Sequence, residues 1–162
     1  MDIQNVTLRG YMAHSIRGRK GDKSPQSEIE TNCVKAAQDG AQLMAIFQRC
    51  GWPVYLYVPG AHDDFVQKAY KAGRLTEEEI LTTDCELMQN CDFLLIYDWC
   101  DYIGGGVKVE KEYAEAHNIP VIHIKKLDQE TVWYLQAEMI SMLLEKIRTP
   151  TIVQIHGGND AQ

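Results

Sequence analysis

The stretch DFLLIYDWCDYIGGGVKVEKEYAEAHNIPVIHI, residues 92 to 124, decides how the chain is read. Residues 92 to 99 are almost entirely apolar, the pattern of a strand covered on both faces. Gly104, Gly105 and Gly106 follow and lead into a helix expected near 107 to 118, with glutamates in its first turns. A short apolar strand at 120 to 124 closes the unit. Strand, helix and strand in this order form a parallel crossover. By spacing alone, Glu110 and Glu112 have an ordinary explanation, because carboxylates are favoured near a helix N-terminus. The default for Glu110 is then a helix-start carboxylate.

Working outward, the same alternation recurs. VTLRGYM (6 to 12) is a β-rich segment running into a Ser/Arg/Gly loop. Residues 27 to 50 carry apolar positions at helical spacing, with Ser27 as expected N-cap and Glu30 completing a capping box. PVYLYVP (53 to 59) reads as a strand and 62 to 73 as a short helix. Residues 75 to 91 read as another helix, with Thr76 as cap and Glu79 three positions on. An amphipathic helix over 129 to 148 and a last strand at 151 to 155 complete the order β-α-β-α-α-β-α-β-α-β. The implied fold is a flavodoxin/Rossmann-like three-layer α/β sandwich with a five-stranded parallel sheet, order 2-1-3-4-5. One domain is expected over 1 to 156, followed by a polar, glycine-containing tail at 157 to 162.

Composition narrows the function classes. Apolar residues make up 45% and charged residues 24% of 162 positions, ordinary for one globular domain. A net charge of −7 argues against a nucleic-acid polymer as partner. The one basic run, Arg17, Arg19, Lys20 and Lys23, is short and reads as a loop. Cys33, Cys50, Cys85, Cys91 and Cys100 show no zinc-type spacing, so neither a metal nor another cofactor is implied. No charged-then-apolar leader and no apolar run near the roughly 20 residues of a bilayer span is present, which points to a cytoplasmic chain with no membrane partner.

Ligands of doubly wound sheets bind at the carboxyl ends of the strands, near the switch between the first and third. Several groups converge there. Strand 1 ends in Tyr11 and continues into His14, Ser15, Ile16, Arg17 and Gly18. Strand 3 ends at Asp98, then Asp101, then the three glycines and Glu110. Arg17 and Arg19 offer forked donors to a phosphate. Each residue has a plainer reading: Tyr11 as core, Asp84 as a mid-helix acid, His14 as a loop histidine, His62 and His123 as structural. The Met and Leu stripe at 139 to 144 reads as core or subunit interface.

Three segments resemble one family. YMAHSIRGRKG, TTDCELMQNCDFLLIYDW and GGGVKVEKEYAEAHNIPVI resemble, in order, blocks of the nucleoside 2-deoxyribosyltransferase superfamily. The closest likeness is to the 2′-deoxynucleoside 5′-phosphate N-hydrolase branch, and it spans roughly residues 6 to 125. The resemblance implies Glu110 as nucleophile, attacking the anomeric carbon of a (deoxy)nucleoside or nucleoside 5′-monophosphate. Tyr11 would orient that carboxylate, and Asp84 would serve the departing base or the sugar hydroxyls. Asp84, Asp98 and Asp101 are the candidates to protonate the base. Ser15, Ile16, Arg17 and Gly18 match the loop that cradles the sugar and a 5′-phosphate, with Arg19 and Lys108 as supplementary cations.

The chain departs from the pattern at His14, where a glycine is common, at Glu112, where a small residue is usual, and near Gly104, where the phosphate-using branch tends to have a serine. These departures motivate an alternative: a non-catalytic module that senses or sequesters a nucleotide signal of cyclic ADP-ribose type. A glycosidase acting on cytokinin-type ribotides or NAD ranks lower. Family members assemble as homodimers or larger oligomers, which the apolar helix at 132 to 144 would suit, and the tail around Asn159 would reach a partner's pocket.

Overall fold

The computed structural model of the protein describes residues 6–148. The strands are β1 (Leu8–Ala13), β2 (Val54–Tyr57), β3 (Phe93–Tyr97) and β4 (Val121–Ile124). The helices are α1 (Gln26–Arg49), α2 (Asp63–Lys71), α3 (Glu77–Met88), α4 (Gly105–Ala116) and α5 (Gln129–Arg148), with 3-10 turns at Gly18–Lys23 and Pro59–Ala61. The four strands form one parallel sheet in the order β2-β1-β3-β4. The strand expected at 151 to 155 lies outside the described residues, as does the tail around Asn159.

Alternation along β1 and β3 divides the core into two layers. Leu8 and Met12 of β1 and Phe93, Leu95 and Tyr97 of β3 pack with Leu43 and Phe47 of α1 and Leu135 and Met139 of α5. Tyr11 and Ala13 turn the other way, with Leu94 and Ile96, toward Met88 of α3 and Val107 and Ala114 of α4. All five residues of β3 are buried, which explains its unbroken apolar run. Truncating a side chain such as Leu94 to alanine in so filled a layer costs about 2–5 kcal/mol. Gly10 permits the β1–β3 approach: a Cβ there would stand 2.3 Å from Cζ of Phe93.

Two helix starts differ from expectation and one agrees. α1 begins at Gln26, with Pro25 in extended conformation as N-cap, so Ser27 lies inside the helix and Glu30 accepts from Gln26 instead of closing a capping box. Proline fits a helix start because its missing N–H would have no partner there. α4 begins at Gly105, so Gly105 and Gly106 are its first turn and only Gly104 remains as extended N-cap. At α3 the capping box is present: Thr76 Oγ1 accepts from Glu79 N at 3.2 Å, and Glu79 Oε2 accepts from Thr76 N at 2.7 Å. Among the described residues, no helix is long and apolar enough to cross a membrane.

Candidate functional site

β1 pairs with β2 on one side and β3 on the other, so the chain leaves the carboxyl ends of these strands toward opposite faces of the sheet. A cleft of about 520 Å³ opens there, within the range usual for small-molecule sites. Its lining includes His14 to Gly18 from the loop after β1, Asp84 from α3, and Gly104 to Gly106 and Glu110 from α4.

Glu110 is where geometry departs most from the plain sequence reading. It is 6% exposed, and α4 meets the sheet through Val107, Glu110 and Ala114, at helical spacing. The carboxyl faces Tyr11, whose Oη donates a 2.8 Å hydrogen bond to Glu110 Oε1. Tyr11 is fully buried and does not itself line the cleft; it reaches Glu110, which does. Burial pushes the Glu110 carboxyl up to about 8; the Tyr11 donor pulls it back and the nearby charge of Asp84 adds to the rise. The Tyr11 phenol is raised far above its ordinary value, first by burial and then by the charges of Glu110 and Asp84. It therefore stays protonated and remains a donor. Glu112 is exposed and does not intervene between α4 and the sheet.

The two loops flanking Glu110 are tied to each other. Ser15 Oγ accepts from the Gly104 N–H at 2.7 Å and donates to the Tyr102 carbonyl at 2.9 Å. A side chain at Gly104 would crowd that hydroxyl, since its Cβ would lie 3.3 Å from Ser15 Oγ. Asn32 of α1 supports the loop from beneath: its Nδ2 donates to the Ile16 carbonyl at 2.8 Å, and its own carbonyl lies 3.0 Å from His14 Nε2. Gly18 adopts φ 54°, a left-handed conformation that favours glycine.

Other expected site residues stand apart from the lining. Asp98 is buried, but its Oδ1 accepts from the Tyr102 N–H at 2.6 Å and its Oδ2 lies 3.6 Å from His123 Nε2. Asp101 is exposed, has φ 51°, and pairs with Lys125 at 2.6 Å. Arg19 donates from Nη2 to the carbonyls of Cys100 and Asp101, at 3.2 and 3.1 Å. Lys108 lies on an exposed part of α4. These four residues do not line the cleft.

Conversely, Tyr57, His62, Tyr70 and Glu77 line it. His62, read from sequence as structural, stacks on Tyr57 with centroids 5.3 Å apart and planes at 18°. Tyr57 had a signal, its place at the carboxyl end of a strand. Glu77 had none, because a glutamate in the first turn of α3 looks like ordinary helix-start chemistry. Among the described residues, no group of three or more His, Cys, Asp or Glu side chains is arranged to hold a metal ion.

Comparison of the chain with family models, with curated proteins and with solved structures gives no match. The fold and the cleft define a parallel α/β domain with a buried tyrosine–carboxyl pair at its strand ends.

Proposed function

We propose that the cleft is the active site of an N-glycosidase or deoxyribosyltransferase acting on a (deoxy)nucleoside or nucleoside 5′-monophosphate. The observation that carries this is the buried Glu110 carboxyl held by Tyr11 in a cleft at the sheet's switch point. In this reading the ionised Glu110 attacks C1′ of the sugar. The C1′–N bond breaks, its electron pair leaves with the base, and a proton from Asp84 or from water neutralises the base. The result is a glycosyl ester on Glu110. Water attacks C1′ of that ester and gives up a proton, or a second base attacks, and either step restores the carboxylate. Tyr11 stabilises the carboxylate when it departs, by donating to it. The Tyr57–His62 stack and the apolar side chains of Leu81 and Val109 provide walls for a planar base.

The test is release of free base, followed by chromatography over a panel of nucleosides and their monophosphates. Activity is expected in the unaltered protein and loss of it in Glu110→Ala. Full base release by Glu110→Ala would defeat the mechanism.

A second reading has its own observation. A carboxyl with its pKa pushed up to about 8 is largely protonated at neutral pH, and a neutral acid is a hydrogen-bond donor suited to binding without turnover. On that reading the domain holds a nucleotide-like signal, such as a cyclic ADP-ribose type compound, and returns it intact. Calorimetry followed by recovery of unaltered ligand would favour it.

The proposal also takes the chain as a cytoplasmic homo-oligomer, with residues 151 to 155 adding a fifth strand beside β4 in the order 2-1-3-4-5. Exposed Trp133, Ile140 and Leu144 on α5 support a subunit-facing helix. A clean monomer in size-exclusion chromatography would count against that assembly.

A further inference from the structure

The three cations that the sequence offers to a phosphate are disposed very differently. Arg19 is turned to the carbonyls of Cys100 and Asp101, and neither it nor Lys108 lines the cleft. Among the described residues, Arg17 is the one lysine or arginine in the lining. Its Nη1 donates to Glu77 Oε1 at 3.0 Å, and its guanidinium carbon stands 6.0 Å from the centroid of the Tyr70 ring. Arg17 thus bridges from the loop after β1 to the first turn of α3.

The same lining holds three carboxyl side chains, Glu77, Asp84 and Glu110. A phosphate is best held by guanidinium N–H forks that no other anion occupies. Here an anion approaching Arg17 meets Glu77 on the same guanidinium and, in the same cleft, the charge of Asp84. A sugar hydroxyl meets no such opposition, because it can donate to Glu77 and accept from Arg17 together.

We propose that Glu77 is a specificity-determining residue: by occupying Arg17 it sets the cleft to take neutral nucleosides in preference to nucleoside 5′-monophosphates. This narrows the substrate class of the reading above and rests on it. The pair is partly solvated, with side-chain exposures of 27% for Arg17 and 52% for Glu77. The discrimination it adds is therefore modest, about 2- to 5-fold, as for partly screened charges.

The test titrates the full chain, unaltered and as Glu77→Gln, with inorganic phosphate and with matched nucleosides and 5′-monophosphates, following binding by calorimetry. The unaltered protein is expected to bind the nucleoside more tightly than its monophosphate. Glu77→Gln is expected to gain about 2- to 5-fold in affinity for phosphate and for the monophosphate. Adding Arg17→Met should remove that gain, and thermal melting checks that each variant is folded. Unchanged phosphate affinity in Glu77→Gln, or tighter binding of the monophosphate by the unaltered protein, overturns the proposal. Failure of the glycosidase reading is seen separately, as absent base release, while the phosphate titration still decides the role of Glu77.

Discussion

Tyr11 Oη and Glu110 Oε1 are joined by a 2.8 Å hydrogen bond between residues 99 positions apart in the chain. The pair links β1 to the second turn of α4, beside the layer that also contains Leu94, Ile96 and Val107. Two polar groups beside so apolar a layer are costly to bury without partners, and this bond supplies one to each. The bond sets what Glu110 can do, and several expectations follow from its chemistry.

A nucleophilic Glu110 must be ionised. Since burial pushes its pKa up to about 8, kcat/KM for base release should rise with pH and level off above about 8. A steady-state pH profile from 6 to 10 measures this. A profile that instead falls through the same range would mean that protonated Glu110 is the working form.

Tyr11→Phe removes the donor that favours the carboxylate. Hydrogen bonds to charged groups contribute about 1.5–3 kcal/mol, so kcat/KM at pH 7 should fall about 10- to 100-fold. The rising limb of the profile should also move to higher pH, because the Tyr11 bond lowers the Glu110 pKa. A loss of activity with an unmoved limb would assign Tyr11 to packing alone.

The same group links pH to stability. In the unfolded chain Glu110 loses its proton near its ordinary value of 4.5, whereas in the fold it keeps it up to about 8. The folded state binds the extra proton between those values, so this contribution is complete below about pH 4.5 and declines as pH rises toward 8. Glu110→Gln keeps an acceptor for Tyr11 and has no proton to lose. Its Tm should exceed that of the unaltered protein by a margin that grows from pH 5 to pH 8, reaching roughly 5–10 °C. Melting curves at four or five pH values check the trend; a constant margin would contradict it.

Ser15→Ala leaves the Gly104 N–H without its acceptor and the Tyr102 carbonyl without its donor. Losing such bonds costs about 1–3 kcal/mol locally, so amide exchange at Gly104 should accelerate about 5- to 100-fold while the core amides of β3 stay protected. Exchange read by NMR or mass spectrometry distinguishes this local opening from general destabilisation.

Much of the architecture is legible in the chain because it depends on short-range pattern. The all-apolar run at 93 to 97 must be covered on both faces, and the capping box at Thr76 is written in two residues three apart. The start of α1 was less legible: Ser27 and Glu30 have the right spacing, but Pro25 supplies a helix start two residues earlier. Glu77 and His62 were not legible as cleft residues at all. Their place in the lining follows from how α2 and α3 fold back over the strand ends, which local pattern does not encode.

Glu110 divides these two kinds of information. The sequence by itself determined that a glutamate would stand in the early turns of a helix after a buried strand, at the ligand-binding edge of a parallel sheet. Helix periodicity and strand hydrophobicity are local properties and suffice for that. Only the tertiary structure decided that this glutamate, rather than Glu112, turns inward and meets Tyr11. That choice depends on the angle at which α4 packs on the sheet and on a phenol 99 positions away. Burial and charge then act on the pair together, and both are set by the whole packed layer rather than by any stretch of chain.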